Sequence, residues 1–303
     1  MTTGALGTIF NDILKFKDKY RHEVIVIKFG GALAEDDDVI RNIARQAAFL
    51  SYNIDAHVVV VHGGGKQIDL ALAEKGIEKK RDPKTDLRIT DAPTLDVSDA
   101  ALRTLNGKIT RLFHEASKDV QALGMAGYDG RIVEAESLHH FTGQVTDVSD
   151  RTLSHLVSMG NASVIPVIYP ICHSKNSVDG ESRLNVNADD VASAIATKMG
   201  ARRLILCSDI PGVLDKDKNL VKSLSTNEID HLINDGTVSG GMIAKLKAAG
   251  DAADALKGGG VVILDGRKEN AILTELLYEN GAGTLIHRPE PRKQTLLPAP
   301  QRP

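Results

Sequence analysis

Val24-Ile25-Val26-Ile27-Lys28-Phe29-Gly30-Gly31 is the stretch from which the rest of this chain is read. Four consecutive β-branched apolar residues suit a strand buried on both faces. Lys28 then brings one ammonium to the strand end, and the paired glycines after it let backbone N–H groups approach a ligand closely. An oligoanion, a phosphate above all, suits such a place. Val58-Val59-Val60-Val61-His62-Gly63-Gly64-Gly65 repeats the pattern. Here a helix follows at once, and its N-terminus adds free N–H donors and a partial positive charge. Two glycine turns at strand ends are able to clamp one polyphosphate, although each alone also reads as a tight strand-to-helix connection. Neither fits G-x-x-x-x-G-K-[ST] or G-x-G-x-x-G, which disfavours the common nucleotide folds. Lys66 lacks the Ser or Thr of a P-loop and reads as a solvated helix start.

Working outward, strands and helices alternate: strand 24–28, helix near 37–50, strand 57–61 and a helix through Leu72. That order predicts α/β wiring with a parallel sheet. Residues 76–91 are charged and turn-rich, a helix is expected near 96–122, and a hairpin covers Arg131 to Val145 with Gly143 in its turn, suited to a lid. A second set follows: strand 163–168, a polar loop from His173 to Arg183, helix Asp189 to Met199 and strand 203–207. It continues with a helix from Ser239 to Leu256, strand 260–264, helix 269–279 and strand 283–287. Ahead of the first strand, Leu6, Ile9, Phe10, Ile13 and Leu14 lie at helical spacing, an amphipathic helix packed on its own domain or exchanged with a neighbouring subunit. The tail from Pro289 holds five prolines and is expected to be disordered.

Composition narrows the function. The chain has 303 residues, 42% hydrophobic and 25% charged, with a net charge of −3 and interspersed signs. This disfavours a nucleic-acid footprint or a polybasic membrane patch and leaves small-molecule chemistry. Cys172 and Cys207 stand far apart, without the spacing of a disulfide framework or zinc site, and a reducing cytoplasm fits. No apolar run approaches the ~20 residues that span a bilayer. Two further stretches bear polar chemistry at helix starts. Leu184-Asn185-Val186-Asn187-Ala188-Asp189-Asp190 either caps its helix or contacts a ligand. Gly240-Gly241-Met242-Ile243-Ala244-Lys245 carries a lysine one turn in.

Taken in order, these segments, together with Leu87-Arg88-Ile89-Thr90-Asp91 and Ser208-Asp209-Ile210-Pro211-Gly212-Val213-Leu214-Asp215, resemble the acetylglutamate kinases of the amino acid kinase family over roughly residues 20 to 288. The resemblance implies a three-layer αβα sandwich with a mainly parallel central sheet and transfer of the ATP γ-phosphoryl to the side-chain carboxylate of N-acetylglutamate. By the same resemblance Lys28 and Lys245 flank the phosphoryl, Asp189 orients them, and Gly30, Gly31, Gly63 and Gly64 bind it through N–H groups. Gly64, Gly65, Arg88 and Asn185 would hold the acylated amino acid. Ser208, Asp209, Gly212, Val213, Leu214, Gly241 and Met242 would hold the nucleotide, with Mg2+ carried on the ATP rather than in a protein metal site. His62 is expected to be structural. The implied organisation is an N-terminal helix at 1–20 serving oligomerisation, an acyl-amino-acid lobe at 21–170, an ATP lobe at 171–288 and a tail at 289–303. The resemblance also implies a homo-oligomer, a dimer or a hexamer of dimers, with feedback by arginine. Yet Val262 and Asn280 stand near places where His and Glu are expected around an arginine pocket, and residues 124–143 differ from the usual substrate segment.

Overall fold

The computed structural model describes residue 11 and residues 14–83, 85–158 and 163–289. Leu6, Ile9, Phe10 and Ile13 of the expected amphipathic helix, and the tail beyond Pro289, lie outside them. Residues 14–20 are helical, and Tyr20 is buried against the sheet domain. The chain then runs through β1 (Val24–Phe29), α1 (Asp37–Tyr52), β2 (His57–His62), α2 (Gly65–Glu74), α3 (Ala92–Ala116) and β3 (Val120–Ala126). A hairpin of β4 (Val133–His139) and β5 (Thr142–Val148) precedes α4 (Asp150–Val157) and β6 (Ser163–Tyr169). A second hairpin joins β7 (Ile171–Val178) to β8 (Glu181–Val186). After α5 (Ala188–Lys198) come β9 (Arg203–Ser208), β10 (Ser223–Ser225), α6 (Thr226–Asn234), α7 (Gly241–Ala255), β11 (Gly260–Asp265), α8 (Ala271–Leu277) and β12 (Thr284–His287).

Eight strands form one sheet in the order β10-β12-β11-β9-β1-β2-β6-β3. The six from β11 to β3 are parallel, β12 runs antiparallel to β11, and β10 forms the edge beyond it, parallel to β12. Side chains alternate across such strands. Ile25, Ile27 and Phe29 join one core layer with Val58, Val60, Ile205 and Val262. Val26 joins the opposite layer with Val59, Val61, Leu204 and Val261. The all-apolar reading of β1 is thus explained: both faces are covered, and β1 sits at the middle of the sheet. The same alternation puts Lys28 on the face of Val26, where α5 and α7 pack.

Helix starts follow their capping residues. Asp36 accepts from the N–H groups of Asp38 and Val39, Asp91 from that of Thr94, and Asn187 from that of Asp189. Three expectations are corrected. The helix expected at 96–122 ends at Ala116, and Val120–Ala126 instead forms the edge strand paired with β6. Gln, Ala, Leu and Met in that segment favour helix locally, and sheet pairing overrides the preference. The polar loop expected at His173–Arg183 is the β7–β8 hairpin, and with β4 and β5 it closes a four-stranded barrel. Gly143 lies inside β5, while the turn before it is made by His140 at φ 47. A division at residue 170 would cut this barrel, since each half of the chain supplies one of its hairpins.

Candidate active site

The C-terminal ends of β1, β2 and β9 open on one side of the sheet, the usual place for a ligand in an open parallel sheet. Two clefts meet there. The smaller, about 350 Å³, is lined by both glycine turns, Arg88, Thr142 and Asn185, and the larger, about 750 Å³, by Asp189, Ser208 and Lys245. Lys28 and Asn187 line both clefts.

Lys28 is brought to this junction by β1 and held by Asp189, whose Oδ1 lies 2.8 Å from Nζ. Asp189 stands in the first turn of α5, which Asn187 caps. Lys245, one turn into α7, donates from Nζ to Ser208 Oγ at 2.7 Å. Burial, reinforced by the charge of Lys28, holds the Lys245 ammonium below the usual lysine value, against the opposing pull of Asp189 and Asp209. Lys28, Asp189 and Lys245 therefore share the larger cleft, with Lys28 at its junction with the smaller, and the two ammonium groups are placed to attract a polyanion.

The glycine turns give this place its shape. Gly31 has φ +57 at the start of a 3-10 turn, a conformation that a side chain resists. A Cβ on Gly64 would lie 2.6 Å from Leu102 Cδ2, so a side chain here would force the leucines of α3 to shift away from the start of α2. Gly64 caps α2 without a side-chain bond, and a helix start of this kind presents N–H donors. His62, fully buried beneath the turn, donates from Nδ1 to Gly63 O at 3.1 Å and accepts at Nε2 from Asn106 Nδ2 at 3.0 Å. Burial pulls the imidazole down to about 4, so it stays neutral at pH 7 with its proton committed to the backbone. Its place is structural, as its sequence context suggested.

Arg88 walls the smaller cleft with its side chain 7% exposed. Its Nη2 donates to Gly65 O at 3.2 Å and to Asp69 Oδ1. Its Nη1 is buried without a hydrogen-bond partner among the described residues. An unpartnered buried guanidinium nitrogen is costly unless an acceptor arrives, which makes it a place for a ligand oxygen. Asn185 donates from Nδ2 to Thr90 Oγ1 at 3.1 Å, while Thr142 Oγ1 donates to Arg88 O at 2.7 Å and accepts from the N–H of Thr90.

The structure thus gathers Lys28, Lys245, Asp189, Ser208, Arg88, Asn185, Gly30, Gly31, Gly63, Gly64 and Gly65 around the two clefts. Gly212, Val213 and Leu214 line neither: Val213 is fully buried, and its N–H is taken by Thr284 Oγ1. Asp209 and Met242 lie near Ser208 and Lys245 in the chain but are likewise absent from the lining. Asp69 and Thr146 to Val148 escaped the sequence reading, which took Thr142, Gln144 and Val145 only as part of a lid; Gln144 to Val148 wall the larger cleft and Thr142 the smaller. Asp69 carried a weak signal, a carboxylate one turn into the helix after the glycines.

Comparison with known proteins shows the family. The model of the amino acid kinase family matches residues 23–265. Acetylglutamate kinase of Agrobacterium fabrum is 39% identical over 292 residues, covering 90% of this chain and 94% of that protein. The Nitrobacter hamburgensis acetylglutamate kinase is 38% identical over 298 residues, covering 92% and 95%. Among solved structures, N-acetylglutamate synthase of Neisseria gonorrhoeae superposes with TM-score 0.79 at 20% identity, covering 96% of this chain and 64% of that one. Carbamate kinase of Giardia lamblia superposes at 0.59 with 15% identity, covering 88% and 99%. At these identities the superpositions show the fold alone. The family match runs from β1 to the end of β11, and the relatives extend over nearly the whole length: this chain belongs to the amino acid kinase family.

Proposed function

We propose that this chain transfers the γ-phosphoryl of ATP to the side-chain carboxylate of N-acetyl-L-glutamate, yielding an acyl phosphate and ADP, a step of arginine biosynthesis. The observation that carries the reading is the junction at Lys28, where a cleft holding a buried, partly unpartnered arginine meets one holding a second lysine. The named activity of relatives that match nearly the whole chain supports it. A carboxylate oxygen attacks the γ-phosphorus, the bond from that phosphorus to the bridging oxygen breaks, and ADP leaves with the electron pair. The attacking carboxylate is already ionised near pH 7, so the step needs no general base. Its obstacle is repulsion between two anions, and catalysis rests on positioning and electrostatics.

In this reading Lys28 and Lys245 stabilise the transferring group, Asp189 fixes Lys28, and N–H groups of Gly30, Gly31, Gly63 and Gly64 bind phosphoryl oxygens. Arg88 offers Nη1 to the substrate α-carboxylate, and Gly64, Gly65 and Asn185 hold the acylated amide. Ser208 and Asp209, with Gly212 to Leu214, Gly241 and Met242, take the nucleotide by family likeness. Mg2+ would neutralise charge on the ATP phosphates. Among the described residues no three His, Cys, Asp or Glu side chains converge to hold a metal, so the phosphates would be its main ligands. Residues 21–170, joined by Asn185 from the β7–β8 hairpin, would serve the acyl amino acid and the rest of 171–288 the nucleotide. Among the described residues no helix is long and apolar enough to cross a membrane, and a cytoplasmic enzyme is the reading that suits this pathway.

Assembly through the N-terminal helix and feedback by arginine complete the proposal. Val262 is fully buried within β11 and Asn280 is exposed before β12, so neither supplies the His and Glu expected for arginine. Solution mass with and without residues 1–13 tests the first, and titration of activity with arginine the second. The central reading is tested by ATP turnover with N-acetylglutamate, glutamate, aspartate and N-acetylaminoadipate, trapping the acyl phosphate with hydroxylamine. Preference for any substrate but N-acetylglutamate overturns it.

A further inference from the structure

The chemistry at Lys28 leaves one carboxylate, bonded to the Arg88 that walls the smaller cleft, unexplained. Asp69 lies on α2, one turn beyond the glycines, and 24% of its side chain is exposed. It faces two cations, Arg88 through the bond to Nη2 and Lys79 Nζ at 3.5 Å from Oδ2. Burial pushes its carboxyl up, but the bond and charge of Arg88, helped by Lys79, outweigh that and hold it below the usual range.

By charge alone a carboxylate beside an anion-binding arginine is out of place, since it repels the anion that the arginine would attract. Geometry gives it a use. With Asp69 and Gly65 O both on Nη2, the guanidinium is held from one side and Nη1 is left buried and unpartnered in a residue that walls the cleft. The backbone of Arg88 is pinned as well, through the hydroxyl of Thr142 on Arg88 O. A planar fork anchored at one nitrogen loses little freedom when the other takes a ligand, so the cost of ordering is met before binding.

We propose that Asp69 is a positioning residue, which aims Nη1 of Arg88 at the substrate α-carboxylate. The proposal rests on the reading of Arg88 given above. Asp69 acts through Arg88 and touches no reacting atom, so its removal acts on substrate affinity and spares turnover. Hydrogen bonds to charged groups in this setting are worth roughly ten- to a hundredfold in affinity.

The test compares the intact protein with Asp69→Ala and Asp69→Asn, using N-acetylglutamate and 4-acetamidobutanoate, the same molecule without its α-carboxylate. Asp69→Ala is expected to raise KM for N-acetylglutamate about tenfold or more while kcat and the KM for ATP stay within about twofold. Asp69→Asn keeps volume and an acceptor oxygen and is expected to raise that KM by a smaller factor, which provides the reading if the alanine variant does not fold. Neither variant is expected to change the KM for 4-acetamidobutanoate, which makes no use of Arg88. An unchanged or lowered KM for N-acetylglutamate in a folded variant overturns the proposal, as does an equal rise for both substrates. Wild-type turnover is the control for the substrate reading. If the wild type prefers another acidic amino acid, that reading fails and the same comparison is run with the preferred substrate and its form lacking the α-carboxylate.

Discussion

Lys28 and Lys245 do different work although both are ammonium groups beside one junction. Lys28 is paired with Asp189 at 2.8 Å, whereas Lys245 rests on the neutral hydroxyl of Ser208. Replacing either by Ala is expected to lower kcat by ~2–4 kcal/mol of barrier, with the circular dichroism spectrum preserved. Turnover within a few-fold of wild type in either variant rejects its role. The lowered value of Lys245 sets a pH dependence. As pH rises this ammonium loses its proton earlier than a free lysine, so kcat/KM should fall on the alkaline side before the ordinary lysine value of 10.5. Lys245→Arg, which stays charged, should move that limb to higher pH at a reduced plateau. A limb that stays in place assigns it to another group.

At the scale of elements, the two hairpins matter most, because the barrel they close supplies Thr142, Asn185 and the β5 wall of the larger cleft. The β7–β8 hairpin is fastened to α3 by Arg183, whose Nη1 donates to Asp99 Oδ2 at 2.7 Å, while Tyr169 donates to Asp99 Oδ1 at 3.1 Å. Asp99 is nearly inaccessible, and its loss leaves a buried phenol and one end of a guanidinium unanswered. Asp99→Ala should therefore cost on the order of 1–3 kcal/mol in urea unfolding, with KM for the acyl amino acid raised. Stability within about 0.5 kcal/mol of wild type would show that Glu181 and Asp96 suffice to hold the hairpin.

For the molecule as a whole, His62 ties the sheet to α3 through Asn106, which also donates to Val167 O at 2.8 Å. The unfolded chain protonates this imidazole near pH 6.5, while the folded chain resists until about 4. Across that window the unfolded state holds the extra proton, so stability falls as pH falls, by on the order of 3 kcal/mol in total. A thermal melt series from pH 7 to 4 should show this decline, and His62→Gln should flatten it while lowering stability at pH 7. A decline of the same slope in the variant places its origin in other groups.

What the sequence determined by itself was whatever rests on short-range rules. Apolar runs marked the buried strands, glycines marked the turns after β1 and β2, and the Asn185 to Asp190 stretch marked a helix start, because strand burial and capping are decided within a few residues. Lys28 and Lys245 were legible as cations at strand and helix ends, and family likeness paired them. The tertiary structure alone decided what depends on distant partners. Val120–Ala126 became an edge strand because β6 offered it hydrogen bonds, against its own helical leaning. His173–Arg183 became half of a barrel because β4 and β5 lay beside it. Asp69 could not be tied to Arg88 from spacing, since they stand 19 positions apart across the end of α2 and a turn-rich stretch, and only packing brings a helix carboxylate against that guanidinium.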